Sequence, residues 1–319
     1  MLSADPAVNP DFSSFNAVFL HYCDGASFGG GRVAPVPVHT RGGQPALMWL
    51  RGRANFDAIV AQLRAQEGLD RATEVVLSGG SAGGLAVFYN LDHLATLLPA
   101  STRLVGFPDA GFFLDAPDVD GNYSYRAQFQ GADPVWNVTG SGGTNAACLA
   151  YYGPRGEPWK CLLAPYLTPF VRTPLFIMNS AYDAWQTVNI LKTSCVPTPS
   201  KPCNASALEA YGRLFKATLA SALAASHSGS VAAYADSCYV HEQNVNYCST
   251  QSIPNCVGWS PKSSGSKKWG YTTQVDKRTP QQAFGDWYFA RGSGANVTID
   301  AAGLQMNPSC LYQGHPVSL

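Results

Sequence analysis

Charge is scarce in this chain and is balanced where it occurs. Only 13% of the 319 residues are charged, and 21 Lys and Arg stand against 21 Asp and Glu. A chain with no net charge has no overall field to attract nucleic acid or an anionic membrane surface. The sequence also has no apolar run near the roughly 18 residues that a membrane span needs. We therefore expect no nucleic-acid partner and no membrane segment.

Cysteine motifs for metal binding are absent as well, although the chain has nine cysteines. No Cys-x-x-Cys pair occurs, which disfavours structural zinc and favours disulfides. Four pairings are predicted, the first three from short separations along the chain: Cys148–Cys161, Cys195–Cys203, Cys248–Cys256 and Cys238–Cys310. Because nine is odd, one thiol has no partner, and we expect it to be Cys23.

A leader sequence is also missing, since the chain opens Met-Leu-Ser-Ala-Asp-Pro with neither a charged nor an apolar segment of the signal-peptide type. Disulfides nonetheless predict an oxidising compartment. Four N-x-S/T sequons indicate a eukaryotic secretory route: Asn122, Asn137, Asn204 and Asn296. We therefore expect a secreted or cell-wall protein whose given sequence is incomplete at its N-terminus.

Short apolar runs alternate with helical spacing along most of the chain. The runs that predict strands, besides the one before residue 81, are residues 17–20, 103–107, 175–178 and 231–234. Phe56, Ile59, Val60 and Leu63 follow the spacing of a helix with one buried face. This alternation predicts an α/β fold with a mostly parallel sheet and helices on both faces.

Three other segments complete the predicted organisation. A capping-box pattern at Ser206–Glu209 predicts the start of a helix. Residues 115–160 have little periodicity and predict a long, partly irregular insertion, and residues 258–268 predict an exposed loop. No repeat or linker interrupts the pattern, so residues 1–319 are expected to form a single domain.

The most informative stretch is Glu74–Gly84, in which a β-type run leads into Gly-x-Ser-x-Gly and then into a predicted helix. Strand, sharp turn and helix are the context in which a serine becomes the nucleophile of an α/β-hydrolase. All four residues that flank Ser81 are Gly or Ala, as a strained turn requires. A flexible glycine turn is the alternative. We predict that Ser81 is the nucleophile and that the amide of Ala82 is an oxyanion donor.

A serine nucleophile needs an imidazole base and a carboxylate that orients it, and α/β-hydrolases order them Ser, Asp or Glu, His. Asp183 and His241 fit this order, and each follows a predicted strand, where ligands gather in parallel sheets. The other histidines break the order or lie in polar or terminal stretches: His21, His39, His93, His227 and His315. On the residues alone, Asp109 and Asp115 stay open as alternatives to Asp183.

Five segments with distinctive glycine, aromatic and aspartate patterns follow one another along the chain. They are residues 22–28 (YCDGASF), 79–84 (GGSAGG), 109–115 (DAGFFLD), 179–186 (NSAYDAWQ) and 285–289 (GDWYF). Together they resemble the pectin acetylesterases, a carbohydrate-esterase family that includes the animal Notum carboxylesterases. The resemblance implies an α/β-hydrolase-like fold and a triad of Ser81, Asp183 and His241, and it favours Asp183 over Asp109. It implies ester hydrolysis without a metal or an organic cofactor.

The chain departs from the family's pattern in two places. Family members usually have an upstream strand that ends in a Gly-Gly-Gly-Trp loop and helps to form the oxyanion hole, so the sheet is expected to lack an N-terminal strand. Residues 29–31 (GGG) follow a loop instead, and we interpret them as a turn. Plant members have His-Cys-Gln at the catalytic histidine, whereas residues 241–243 are His-Glu-Gln, closer to the Notum side.

The expected partner is an acetylated polysaccharide such as pectin, bound by a monomer. Trp185 and the aromatic, polar segment 115–160 are predicted to line an open sugar groove. A fatty-acyl ester is an alternative substrate, and it would need a deep apolar pocket. The missing oxyanion strand also leaves open a non-catalytic, carbohydrate-binding relative.

Overall fold

The computed structural model describes residues 5–7, 9–193, 205–227, 231–243, 273–291, 296–304 and 307–310. The first two strands, β1 (Val36–His39) and β2 (Pro45–Met48), form a separate antiparallel hairpin. The main sheet contains β3 (Glu74–Gly80), β4 (Arg103–Asp109), β5 (Leu175–Ser180), β6 (Val231–Asp236) and β7 (Val297–Ile299). Its neighbouring strands are parallel and lie in chain order, with β3 at one edge in this part of the chain.

Eight α-helices accompany these strands in the described ranges. They are α1 (Gly52–Gln66), α2 (Ala82–Leu97), α3 (Ser124–Trp136), α4 (Ala146–Tyr152), α5 (Ala164–Leu167), α6 (Ala184–Asn189), α7 (Ala205–Ala224) and α8 (Pro280–Tyr288). None of these described helices is both long and apolar enough to cross a membrane.

Side chains that alternate along the strands build a core on each face of the sheet. Leu104, Leu175 and Ile177 pack with residues of α1, α2, α5 and α7 on one face. Phe107 and Phe176 point to the other face, where they pack against α8. The predicted α/β architecture, with a parallel sheet and helices on both faces, is therefore confirmed.

The register of the sheet brings the carboxyl ends of four strands together. Gly80 lies opposite Asp109, and Asp109 lies opposite Met178 on the next strand. Ser180, the last residue of β5, lies opposite Asp236, the last residue of β6. Loops that leave these ends therefore start at a common edge, which is where a parallel sheet collects its ligands.

The predicted strand at residues 17–20 is wrong. These residues form no strand, and Val18 and Phe19 are 58% and 65% exposed. The four-residue apolar run has no partner strand in the described part of the chain, so its hydrophobicity does not translate into sheet pairing.

Residues 115–160, predicted as a long, partly irregular insertion, contain α3, α4 and two 3₁₀ turns separated by irregular stretches. Tyr125 and Phe129 lie one turn apart on α3, with their rings 4.9 Å apart. Pro134 lies within the same helix, and the helical segments are short, so their apolar period is weak in the sequence.

The helix predicted to open at Ser206–Glu209 is confirmed as α7, although Ser206 already lies within the helix and so is not its cap. Glu209 instead accepts hydrogen bonds from the Tyr182 hydroxyl (2.9 Å) and the Leu304 amide (2.9 Å). The Glu209 carboxylate, which the local pattern assigned to a helix cap, is thus hydrogen-bonded to residues distant in the sequence. The predicted loop at residues 258–268 lies outside the described residues.

Two of the predicted disulfides are present, Cys148–Cys161 and Cys238–Cys310. Cys23 is a free, exposed thiol, as predicted. The cysteines of the other two predicted pairs lie outside the described residues: Cys195, Cys203, Cys248 and Cys256.

Candidate active site

Ser81 lies in a strained turn between β3 and α2. Its backbone has φ 54° and ψ −119°, a positive-φ conformation that non-glycine residues rarely adopt. The Ser81 amide donates to the Asp109 carbonyl (2.9 Å), which ties the turn to the next strand. A Cβ atom on Gly79 would be 2.4 Å from the Gly83 carbonyl oxygen, and one on Gly84 would be 2.6 Å from the Asp109 carbonyl oxygen. Backbone contacts therefore require glycine at positions 79 and 84, and the Ser81 side chain in the turn between them is partly exposed.

A chain of hydrogen bonds joins the three residues predicted to form the triad. The His241 Nε2 atom lies 2.8 Å from the Ser81 Oγ atom. On its other side, His241 Nδ1 lies 2.9 Å from each carboxylate oxygen of Asp183. This is the arrangement in which an imidazole can remove the serine proton while a carboxylate fixes its tautomer.

The Asp183 carboxylate is fully buried and held by further donors. It caps the start of α6 and accepts from the amides of Trp185 (2.9 Å) and Gln186 (3.0 Å). The Asn179 side-chain amide donates to its second oxygen (3.2 Å). With these donors the carboxylate is fixed in orientation, so it can align the imidazole before any substrate binds.

The charges around His241 change its proton affinity. Burial works to lower the pKa of the imidazole. Against it, the charge and hydrogen bond of Asp183 raise that pKa, and the Glu242 and Asp109 carboxylates add to the effect. The net pKa of His241 is raised above its usual value, which stabilises the imidazolium that forms when serine loses its proton.

The alternative carboxylates have other partners. Asp109 accepts a hydrogen bond from the Gln243 amide (2.6 Å). Asp115 forms a partly buried ion pair with Arg126 (2.7 Å) and accepts a hydrogen bond from the Tyr166 hydroxyl (2.6 Å). Of the three candidate aspartates, Asp183 is the one whose carboxylate lies against the His241 imidazole.

The Ala82 amide is the first of helix α2, at the end where the helix dipole favours negative charge. Its predicted role as an oxyanion donor stays a prediction. The amides of residues 29–31 are committed elsewhere, to Ala26 O (2.8 Å), Asp24 Oδ2 (3.4 Å) and Trp136 O (2.9 Å). The interpretation of this segment as a turn is corrected by two positions, because the turn lies at residues 27–28 and residues 29–31 follow it as irregular backbone.

Aromatic side chains stand beside the imidazole. The Trp185 ring is stacked near His241, with centroids 6.1 Å apart and an interplanar angle of 28°. Phe113 and Tyr125 pack edge-on against the same indole at 5.2 and 5.9 Å. Trp185 itself is partly exposed and lies next to His241, and its predicted contact with the substrate stays a prediction.

Glu242 and Gln243, which directly follow His241, also lie at the site, although the sequence patterns gave them no role. Glu242 has a positive φ of 51°, and its carboxylate lies against Gly80, where a Cβ atom would be 2.7 Å from Oε1. Burial raises the pKa of Glu242. Gln243 is buried and hydrogen-bonded to Asp109. Their adjacency to the predicted histidine was the available signal, since no spacing rule identifies them.

No three His, Cys, Asp or Glu side chains in the described ranges form a group that could hold a metal ion. The expectation that the reaction needs no cofactor stays a prediction.

Comparison with known proteins gives consistent matches in sequence. The chain is 31% identical over 320 residues to pectin acetylesterase 5 of Arabidopsis thaliana, an alignment that covers 97% of this chain and 67% of that protein. Pectin acetylesterase 11 of the same plant is 30% identical, with 97% and 73% covered. The palmitoleoyl-protein carboxylesterase NOTUM of Schmidtea mediterranea is 27% identical over 62% of this chain and 36% of its own length.

The fold is shared with a solved structure. The Wnt deacylase Notum from Drosophila superposes with a TM-score of 0.71 at 23% identity, covering 97% of this chain and 78% of that one. At this identity the match shows an α/β-hydrolase-like fold. A family model for Pectinacetylesterase matches residues 1–311. The chain therefore belongs to the pectinacetylesterase family, whose members are carboxylic ester hydrolases.

Proposed function

We propose that this chain hydrolyses its ester with Ser81 as nucleophile, His241 as general base and Asp183 as the carboxylate that orients the base. The observation that carries the proposal is the unbroken hydrogen-bond chain from Ser81 Oγ through both imidazole nitrogens to the Asp183 carboxylate. A serine hydroxyl alone is a weak nucleophile, and an adjacent base activates it.

The reaction proceeds in two halves. His241 takes the Ser81 proton as Oγ attacks the ester carbonyl, and the Ala82 amide donates a hydrogen bond to the developing oxyanion. The imidazolium then gives its proton to the departing alcohol, which leaves an acyl-enzyme on Ser81. A water molecule, deprotonated by His241, releases the acid and restores the serine.

We infer that the ester is an acetyl group on a polysaccharide such as pectin. Two relatives that match nearly the whole chain are named pectin acetylesterases. The partly exposed Trp185 ring next to His241 supports a sugar contact, because an aromatic ring offers an apolar face to the C–H face of a sugar.

We also infer that the protein works outside the cell. Disulfides persist in oxidising compartments, and Cys148–Cys161 and Cys238–Cys310 are both formed. Two of the sequon residues, Asn122 and Asn296, are exposed and so accessible to glycosylation. Treatment of protein secreted by a eukaryotic host with an N-glycosidase should reduce its mass, and an unchanged mass would contradict the inference.

Acetate release from acetylated pectin, measured beside hydrolysis of 4-nitrophenyl acetate, octanoate and palmitate, tests the substrate. The proposal predicts acetate release from the polysaccharide and rates that fall as the acyl chain lengthens. Preference for the palmitate would support a Notum-like fatty-acyl specificity instead. Polysaccharide binding without turnover of any ester would support the non-catalytic relative.

A further inference from the structure

The loop of residues 237–243 carries His241 away from the end of β6. Four contacts fix the first half of this loop. They are the Cys238–Cys310 disulfide, the Cys238 amide to Asp236 Oδ1 (2.9 Å), the Ser180 hydroxyl to the Cys238 carbonyl, and the Ala184 amide to the Val240 carbonyl (3.2 Å). All four precede His241, so they hold the loop on one side of the histidine only.

Gln243 holds the loop on the other side of the histidine. Its backbone amide donates to Asp109 Oδ2 (2.6 Å), and its side-chain Nε2 donates to Asp236 Oδ2 (2.6 Å). Asp109 ends β4 and Asp236 ends β6, and both are fully buried. One glutamine thus bridges two strand ends that lie on either side of β5.

Asp109 also connects this bridge to the nucleophile. Its carbonyl accepts the Ser81 amide (2.9 Å), while its carboxylate accepts the Gln243 amide. The serine turn and the histidine loop are therefore anchored on the same residue. Gln243 lies two positions after His241, and its amide is held by the same Asp109 that holds the Ser81 amide. A shift of Gln243 would therefore move His241 relative to Ser81.

Burial makes the bridge costly to break. A buried carboxylate needs donors to replace its lost hydration, and hydrogen bonds to charged groups are among the stronger ones. Gln243 is 7% exposed, so water has little access to its amide. Replacing this side chain by an apolar one would remove a donor from Asp236 and leave the backbone amide bond to Asp109 as the remaining half of the bridge.

We propose that Gln243 is a positioning residue for ester hydrolysis, and that its bridge between Asp109 and Asp236 keeps His241 in hydrogen-bond register with Ser81. The inference rests on the proposed function, because the register matters only if His241 activates Ser81. Catalytic geometry is sensitive to small shifts of a side chain, since a displacement of about 1 Å can cost roughly 100-fold in rate.

The test compares wild type with Gln243→Met, which keeps the side-chain length and removes the donor. A fluorophosphonate probe that reacts with activated serines gives two quantities, the number of reactive sites and the labelling rate per site. We expect labelling per site and kcat for 4-nitrophenyl acetate to fall together, by about 10- to 100-fold, with little change in KM. The exposed Gln62→Met is the matched control and should leave both rates unchanged.

A purely structural role would give a different result. It would reduce the number of reactive sites while each remaining site reacted at the wild-type rate, and that outcome would overturn the inference. If Gln243→Met does not fold, Gln243→Asn replaces it in the test. This variant keeps the amide but is one methylene too short to reach Asp236, so its labelling rate per reactive site should fall in the same way. If wild type itself is not labelled at Ser81, the proposed function fails as well. A failure of the proposed function is therefore distinguished from a failure of the inference about Gln243 alone.

Discussion

At the scale of single residues, the serine turn depends on backbone contacts that allow no side chain at certain positions. We predict that Gly79→Ala lowers the free energy of unfolding by about 1–3 kcal/mol, because its Cβ atom would meet the Gly83 carbonyl at 2.4 Å. Gly83→Ala is the control, since a Cβ there meets nothing within 4 Å. Urea unfolding of both variants would show the difference. Equal stability of the two would contradict the tight packing of the turn.

Glu242 gives a second prediction at this scale. His241 must be neutral to accept the Ser81 proton, so a raised pKa moves the acid limb of kcat/KM to higher pH. The Glu242 carboxylate is one of the charges that raise the His241 pKa. Glu242→Gln should therefore lower that pKa and shift the acid limb to lower pH.

The pH dependence of kcat/KM for 4-nitrophenyl acetate measures this shift. Glu67→Gln, an exposed substitution near the end of α1, is the control and should leave the profile in place. An acid limb that stays put or moves to higher pH in Glu242→Gln would rule out this electrostatic role.

At the scale of elements, the strand–turn–helix at Ser81 and the strands before Asp183 and His241 could be predicted from the sequence. Each strand is a local run of apolar residues that ends at a sharp change in composition. The chain order of an α/β-hydrolase then selects the aspartate and the histidine that accompany Ser81. Parallel pairing brings the ends of these strands together without further information. Two of the four predicted disulfides are also present in the described residues, although 72 positions separate Cys238 from Cys310.

Other elements could not be predicted, for physical reasons. The helices of residues 115–160 are held by aromatic tertiary contacts such as Tyr125 with Trp185, which leave no clear period. Residues 17–20 have strand-like composition but no pairing partner in the described ranges. The role of Gln243 depends on Asp109 and Asp236, two carboxylates that become neighbours of the glutamine only when the sheet forms.

The disulfide of the histidine loop provides a prediction for an element. The Cys238–Cys310 bond closes 72 positions and the Cys148–Cys161 bond closes 13. Loop-closure entropy predicts that replacing each pair by serine costs about 4 and about 3 kcal/mol of unfolding free energy, respectively. Because Cys238 lies in the loop that carries His241, the first replacement should also lower the labelling rate per Ser81.

Denaturant unfolding and active-site labelling of the two double variants would check both parts. The Cys148→Ser, Cys161→Ser protein is the matched control, since neither residue lies in the histidine loop. Equal labelling rates per site in the two variants would show that the Cys238–Cys310 bond does not position the catalytic histidine.

At the scale of the whole molecule, the sheet separates a stabilising aromatic core from the catalytic edge. The Phe284 ring of α8 packs against the rings of Phe107 and Phe176, with centroids 4.3 and 5.3 Å apart, on the face covered by α8. Phe284→Ala should lower the free energy of unfolding by about 3–5 kcal/mol and leave the rate per folded site unchanged. Leu214→Ala, at an exposed position of α7, should change stability by less than about 1 kcal/mol. A Phe284→Ala protein as stable as wild type would contradict this account of the second core.

The central claim is that Ser81 is the nucleophile of an ester hydrolase. The most direct test is the rate of 4-nitrophenyl acetate hydrolysis by wild type, Ser81→Ala and the exposed control Ser101→Ala, with mass spectrometry of the acylated intermediate. The account predicts an acetyl group on Ser81, a loss of at least about 10³-fold in Ser81→Ala and no loss in the control. Turnover that survives in Ser81→Ala, or acetylation at another residue, would contradict it.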